Sequence, residues 1–199
     1  GNGTLTLPTP EAASSGFFTG TTNINQGTVK VTVASSAGYT GLGETAVNVK
    51  TGATLFLDNV AVGRLVNSGF NAGSVFLSNG SVLKFDGNSS YAGGAINSVF
   101  NGSGTTYSTS NITIQSVNPT DVLTLNGSIK QSDPNSGTGS YIDTPANDMT
   151  IHIAGPGTVI IKDGGVSSKT AFGGDWYVNA GTLQLGPFID NESPDPNSN

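Results

Sequence analysis

The sequence predicts an all-β fold: a single right-handed parallel β-helix, or β-solenoid, of roughly eight or nine rungs. Three observations carry that expectation. The first is a recurring phrase, a turn glycine and a small hydroxyl residue followed by apolar-x-apolar, whose fullest copy is Asn179-Ala180-Gly181-Thr182-Leu183-Gln184-Leu185. The second is its spacing. The glycines fall at 3, 27, 52, 73 or 80, 157 and 181, a period in the low twenties wherever the series is unbroken. The third is composition: 29 glycines and only 10% charged residues describe a turn-rich β chain, not a helical one. Short strands returning at a fixed period bury their apolar faces only against neighbouring copies, so one continuous element is expected over residues 1–189.

The strands follow from period-two alternation. Leu5 and Leu7 open the chain as a first, partly open rung. Val29, Val31 and Val33 alternate with Thr28, Lys30 and Thr32. Val47 and Val49, then Leu55 and Leu57 around Phe56, then Val60 and Val62 continue the series. Val75 and Leu77, Val82 with Phe85, Ile112 and Ile114, and Val122 or Leu123 with Leu125 come next. Ile151 and Ile153 around His152, Val159 and Ile161, and Leu183 and Leu185 complete it. Parallel stacking is expected to place Val29, Leu55 and Val75 in one apolar column. The preceding glycines would stack at one corner, where positive φ suits only Gly or Asn. Three stretches depart from the period. Residues 87–109 read as a rung with a loop excursion and 131–147 as an insertion, a loop excursion off the rod; the second carries Asp133-Pro134-Asn135 and Thr144-Pro145 turn chemistry. Residues 190–199, acidic and rich in Pro and Asn, read as a tail or linker.

Charge and cysteine content narrow the function classes. Seven Lys and Arg against 13 Asp and Glu give a net charge of −6, and Arg64 is the only arginine. The lysines are spread about one per rung, whereas phosphate recognition needs them clustered, so neither nucleic acid nor an anionic membrane surface is expected as a partner. With no cysteine, thiolate metal sites and disulfides are excluded. No run approaches the ~20 apolar residues of a membrane span. The chain begins at Gly1 without Met, which reads as a processed or excised piece of a longer precursor.

Two segments resemble the autotransporter-associated β-strand repeat of bacterial secreted and surface proteins. One is Phe18-Thr19-Gly20-Thr21-Thr22-Asn23-Ile24-Asn25-Gln26-Gly27-Thr28-Val29-Lys30-Val31, with Gln26 in place of the repeat's alanine. The other is Phe172-Gly173-Gly174-Asp175-Trp176-Tyr177-Val178-Asn179-Ala180-Gly181-Thr182-Leu183-Gln184-Leu185, where Asp175-Trp176-Tyr177 interrupts the usual pattern. The resemblance implies a right-handed parallel β-helix in an extracellular or cell-surface setting. It brings no catalytic residues.

The residues able to carry chemistry all have plainer roles open to them. His152, the only histidine, lies between Ile151 and Ile153 and is expected to face solvent. No Gly-x-Ser-x-Gly elbow accompanies it. Asp58, Asp86, Asp121, Asp143, Asp148, Asp163 and Asp175 are the candidate acids for a polysaccharide-cleaving β-helix, which needs two carboxylates facing one cleft. Asp58, Asp86 and Asp163 each follow a strand end and are expected to form a column of turn-capping acids. The nonapeptide calcium pattern is absent, so no designed calcium site and no cofactor is expected. Trp176 with Tyr177 is a candidate sugar-stacking platform or, alternatively, filler within the coil. Sequons at Asn2, Asn79, Asn88, Asn101, Asn111, Asn126 and Asn191 arise readily in an Asn- and Ser-rich chain. The function expected from all this is a non-catalytic extracellular rod or self-associating filament subunit. Its rivals are an adhesin that binds glycans or host proteins through the irregular loops, and a polysaccharide-cleaving enzyme.

Overall fold

Alternating apolar residues set the strands of this chain, and the small residues between them set the corners. The computed structural model describes residues 1–7, 20–32, 42, 46–62, 74–91, 96–99, 110–126, 129–132, 149–162 and 175–186. In chain order the strands are β1 (Thr4–Leu7), β2 (Thr21–Ile24), β3 (Thr28–Thr32), β4 (Ala46–Val49), β5 (Thr54–Asp58) and β6 (Ala61–Val62). They continue with β7 (Ser74–Ser78), β8 (Val82–Asp86), β9 (Asn88–Tyr91), β10 (Ile96–Val99), β11 (Ser110–Ser116) and β12 (Val122–Leu125). The last are β13 (Ile129–Ser132), β14 (Met149–Ala154), β15 (Thr158–Ile161), β16 (Asp175–Val178) and β17 (Thr182–Leu185).

Three parallel sheets result. Sheet A has seven strands in the order β1-β3-β5-β8-β11-β14-β16, sheet B has β13-β10-β7-β4-β2, and sheet C has β17-β15-β12-β9-β6. Successive strands fall in different sheets, and each strand pairs with the equivalent strand one level away. This is a stacked β-solenoid with three faces, seven strands deep along sheet A and five along sheets B and C among the described residues. Most levels come at wider intervals than the sequence suggested. The register runs Leu5, Val29, Leu55, Leu83, Ile114, Ile153, Val178. Its shortest step is Leu5 to Val29 and its longest Ile114 to Ile153. Extra residues are taken up between strands, and the ladder register stays unbroken.

That register corrects the expected column. Leu55 follows Val29, but Leu83 follows Leu55. Val75 lies in sheet B, against Val47 and Ile96. The stretch 87–109 also includes two regular strands, β9 and β10, each paired on both sides. Residues 133–148 and 187–199 lie outside the described residues.

The inward side chains make one apolar core. Leu55, Leu57, Leu77, Phe85, Ile112, Ile114, Leu123 and Ile151 are all completely buried. Fully burying a side chain of this size contributes about 1.5–3 kcal/mol. Burial fades toward the ends of the columns: Leu5 is 59% exposed and Val178 48%, while Leu83 between them is at 1%. The same residue type on the same face is therefore worth most in the middle levels.

Positive-φ residues mark two corners, not the single one expected. Gly27, Gly52 and Gly80 turn the chain from sheet B into sheet A, whereas Asn59, Gly87, Gly155 and Gly181 turn it from sheet A into sheet C. The phrase at Gly27-Thr28-Val29 and its copy at Gly181-Thr182-Leu183 thus serve different corners. Their shared logic is local. A left-handed residue frees the next amide to continue the ladder, as Thr28 donates to Gly3 O at 3.0 Å and Thr182 donates to Gly157 O at 3.0 Å. The backbones approach closely there: a Cβ on Gly27 would collide with Gly3 O, and one on Gly181 with Gly157 O. Only glycine fits both the dihedral and the gap.

Candidate functional site on the outer face of sheet A

The outward side chains of sheet A form columns as regular as the inward ones. Thr4, Thr28, Thr54, Val82, Thr113, His152 and Tyr177 follow one another in register. Beside them run Thr6, Lys30, Phe56, Lys84 and Gln115. A third, shorter column holds Thr32, Asp58 and Asp86. Hydroxyls, then cations around an aromatic ring, then carboxylates cross the face in that order.

The middle column is held by its own contacts. Lys30 Nζ lies 5.0 Å and Lys84 Nζ 5.1 Å from the Phe56 ring centroid. Both distances fall within the reach of a cation–π interaction, so one ring positions two ammonium groups. Lys30 also pairs with Asp58 Oδ2 at 2.7 Å. With both side chains about 30% exposed, that pair is worth roughly 0.2–1 kcal/mol. Beside this column lies a half-open groove of about 340 Å³. Thr4, Thr28, Thr54 and Val82 line one side of it, and Lys30, Phe56, Lys84 and Gln115 the other. The groove opens on the hydroxyl side of the lysines, away from the carboxylates.

Asp86 and Asp121 are engaged in holding corners, and Asp175 stands exposed at the start of β16. Asp58 and Asp86 stack in register as expected, but Asp58 is tied to Lys30. Asp86 Oδ1 accepts from the Gly87 amide at 2.8 Å and from Asn118 Nδ2 at 3.0 Å. Asp121 is almost wholly buried and ties two levels together. Its Oδ2 accepts from the amides of Val117 at 2.9 Å and Asn118 at 2.5 Å, and its Oδ1 from the amide of Gly87 at 3.0 Å. Burial acts to raise the pKa of its carboxyl, yet the amides of Asn118, Gly87 and Val117 together outweigh that and hold it below the usual carboxylate value. Asp143, Asp148 and Asp163 lie outside the described residues. Among the described residues no group of three or more His, Asp or Glu is placed to hold a metal ion.

Trp176 and Tyr177 do not share a platform. As neighbours on one strand they point to opposite faces. Trp176 follows Ile151 in register and packs against the core. Tyr177 stands outside, half exposed, with its ring stacked on His152 at a centroid distance of 5.4 Å and an interplanar angle of 22°. Asn179 Nδ2 lies 3.1 Å from His152 Nδ1. His152 faces out, as its place between two isoleucines predicts, and is held by two neighbours from the next level.

The Lys30–Phe56–Lys84 column was not singled out from sequence. The signal was present in the alignment of strands at their corner glycines: Lys30 stands three places past Gly27, while Phe56 and Lys84 stand four past Gly52 and Gly80. The difference of one in offset hides the match. Comparisons with family models, with curated proteins and with solved structures gave no match to this chain.

Proposed function

We propose that this chain is a non-catalytic structural β-solenoid of a bacterial surface or secreted protein, working as a rigid extracellular rod or as a self-associating filament subunit. The observation that supports it best is the unbroken register of sheet A across seven strands that are unevenly spaced along the chain. A fold that keeps its ladder while its connections vary is organised around axial continuity, which is what a stiff spacer requires. The right hand of the coil belongs to the same reading, because parallel strands joined by crossovers in one sheet are right-handed in nearly all proteins. So do the resemblance to autotransporter-associated repeats and the eight or nine rungs expected of the whole chain. Self-association would proceed by strand addition at the outermost strands of a sheet, which supplies affinity through main-chain bonds.

Sedimentation velocity across a wide concentration range, combined with electron microscopy, tests this proposal. The expected result is rods that lengthen or associate as concentration rises. The seven strands of sheet A alone would span about 29 Å at ~4.8 Å per strand spacing. Strictly monomeric sedimentation at every concentration would remove the filament reading, and a flexible or collapsed particle would remove the rod.

A further inference from the structure

We propose that the groove beside Lys30, Phe56 and Lys84 binds an acidic polysaccharide laid along the rod axis, with the two ammonium groups meeting carboxylates of the polymer and the threonines meeting its hydroxyls. This goes beyond the rod proposal and does not depend on it.

The chemistry of the groove selects the ligand. Lys30 and Lys84 are two levels apart, a separation of about 9.6 Å at the ~4.8 Å spacing of paired strands. An extended pyranose chain advances on the order of one strand spacing per ring, so acidic sugars at alternate positions meet both cations. The hydroxyls of Thr4, Thr28 and Thr54 repeat at the same interval along the other wall. Both cations are held by a single ring before any ligand arrives, which lowers the ordering cost of binding. The volume of about 340 Å³ is at the small end for ligand sites and suits a few rings of a longer chain.

Charge and backbone geometry narrow the choice further. The net charge of −6 repels a polyanion at long range. Screening reduces that repulsion beyond about 8 Å at physiological ionic strength, so the nearby groups decide. The nearby carboxylates are Asp58 and Asp86. They lie on the far side of the lysine column, and both are already engaged, Asp58 by Lys30 and Asp86 by Gly87 and Asn118. Lys84 has no carboxylate partner among the described residues. An acidic peptide is the weaker fit, because β3, β5 and β8 are each paired on both sides and offer no free edge for strand addition.

The test uses the full chain and polygalacturonate as the probe, with dextran as a neutral polymer and polyglutamate as an acidic peptide. Calorimetry should show saturable binding to polygalacturonate and none to dextran. Raising salt from 50 to 200 mM should weaken it about sevenfold, as two charge contacts at ~0.7 per charge predict. Lys84→Gln should lower the affinity about threefold to tenfold, and Lys30→Gln should lower it at least as much, because it also leaves the Asp58 carboxylate unpaired beside the polyanion. Lys162→Gln removes an equal charge outside the groove and should have no effect. Amide shifts should cluster on Thr28, Thr54 and Lys84. The proposal is overturned if polygalacturonate shows no saturable binding at 50 mM salt, if the Lys84 and Lys162 variants weaken binding equally, or if polyglutamate binds as tightly as the sugar polymer.

Discussion

Replacing Asp121 with Ala removes a carboxylate that accepts from three amides at once, of which Gly87 alone keeps a second acceptor in Asp86 Oδ1 at 2.8 Å, and should be among the most costly polar substitutions in the chain. The carboxylate takes hydrogen bonds from Val117, Asn118 and Gly87, and the Gly87 bond reaches the neighbouring level. Hydrogen bonds to charged groups contribute about 1.5–3 kcal/mol each. Val117 and Asn118 are exposed, so water satisfies their amides once the carboxylate is gone. The net loss is then about 3 kcal/mol, which lowers the melting temperature by roughly 6–12 °C for a chain of this size. Asp121→Asn keeps one acceptor oxygen without the charge and should cost about half as much. The pH dependence has a definite sign. The folded-state pKa is depressed below the unfolded value of about 3.9, so the stabilisation is complete above that value and is lost as pH falls through the folded pKa. Wild type should therefore lose stability below about pH 4, and both variants should lose less over that range. Thermal unfolding followed by circular dichroism between pH 3 and 7 measures all of this. An Ala variant melting within 1 °C of wild type at pH 7, or an unchanged acid slope, would refute the reasoning.

Three further comparisons test the fold. Phe85→Ala empties a fully buried site in a middle level and should cost about 3–5 kcal/mol, while Leu5→Ala at the exposed end of a neighbouring column should cost less than about 1 kcal/mol; urea denaturation compares them. Gly27→Ala drives its methyl into Gly3 O on top of its left-handed strain, whereas Gly52→Ala meets nothing within 4 Å. The second should cost about 1–2 kcal/mol and the first clearly more, as melting temperatures will show. Ser81 Oγ is buried without a hydrogen-bond partner, so Ser81→Ala should leave stability unchanged or raise it by about 1 kcal/mol, read from the shift in the urea midpoint.

The sequence carried the strands and the parallel stacking because both depend on local signals. Apolar alternation at Val29-Lys30-Val31 and Ile151-His152-Ile153 sets which side chains face in, and stacking follows from repetition. What it concealed was the assignment of each copy to a sheet. Gly27 and Gly181 carry the same phrase, yet the first begins a strand of sheet A and the second a strand of sheet C. Local chemistry asks only for a tight turn followed by a strand, so it does not distinguish one corner from another. The misplaced Val75 has the same origin, since its phrase resembles that of Leu83 but starts on a different face. The Lys30–Phe56–Lys84 column was equally hidden. It depends on register between β3, β5 and β8, which are too far apart along the chain for any single window to reveal.

The ladder bonds of all three sheets lie nearly parallel to the stacking direction, and the first and last described strands sit at opposite ends of it. Tension applied to the chain ends would load the outermost coil alone and peel it away before the next one feels the force. Each event would release the length of one coil, from about 80 Å for the shortest to about 130 Å for the longest, at ~3.4 Å per extended residue. A pulled molecule would yield in a staircase of unequal steps, so it could absorb mechanical work in instalments and not snap at a single threshold.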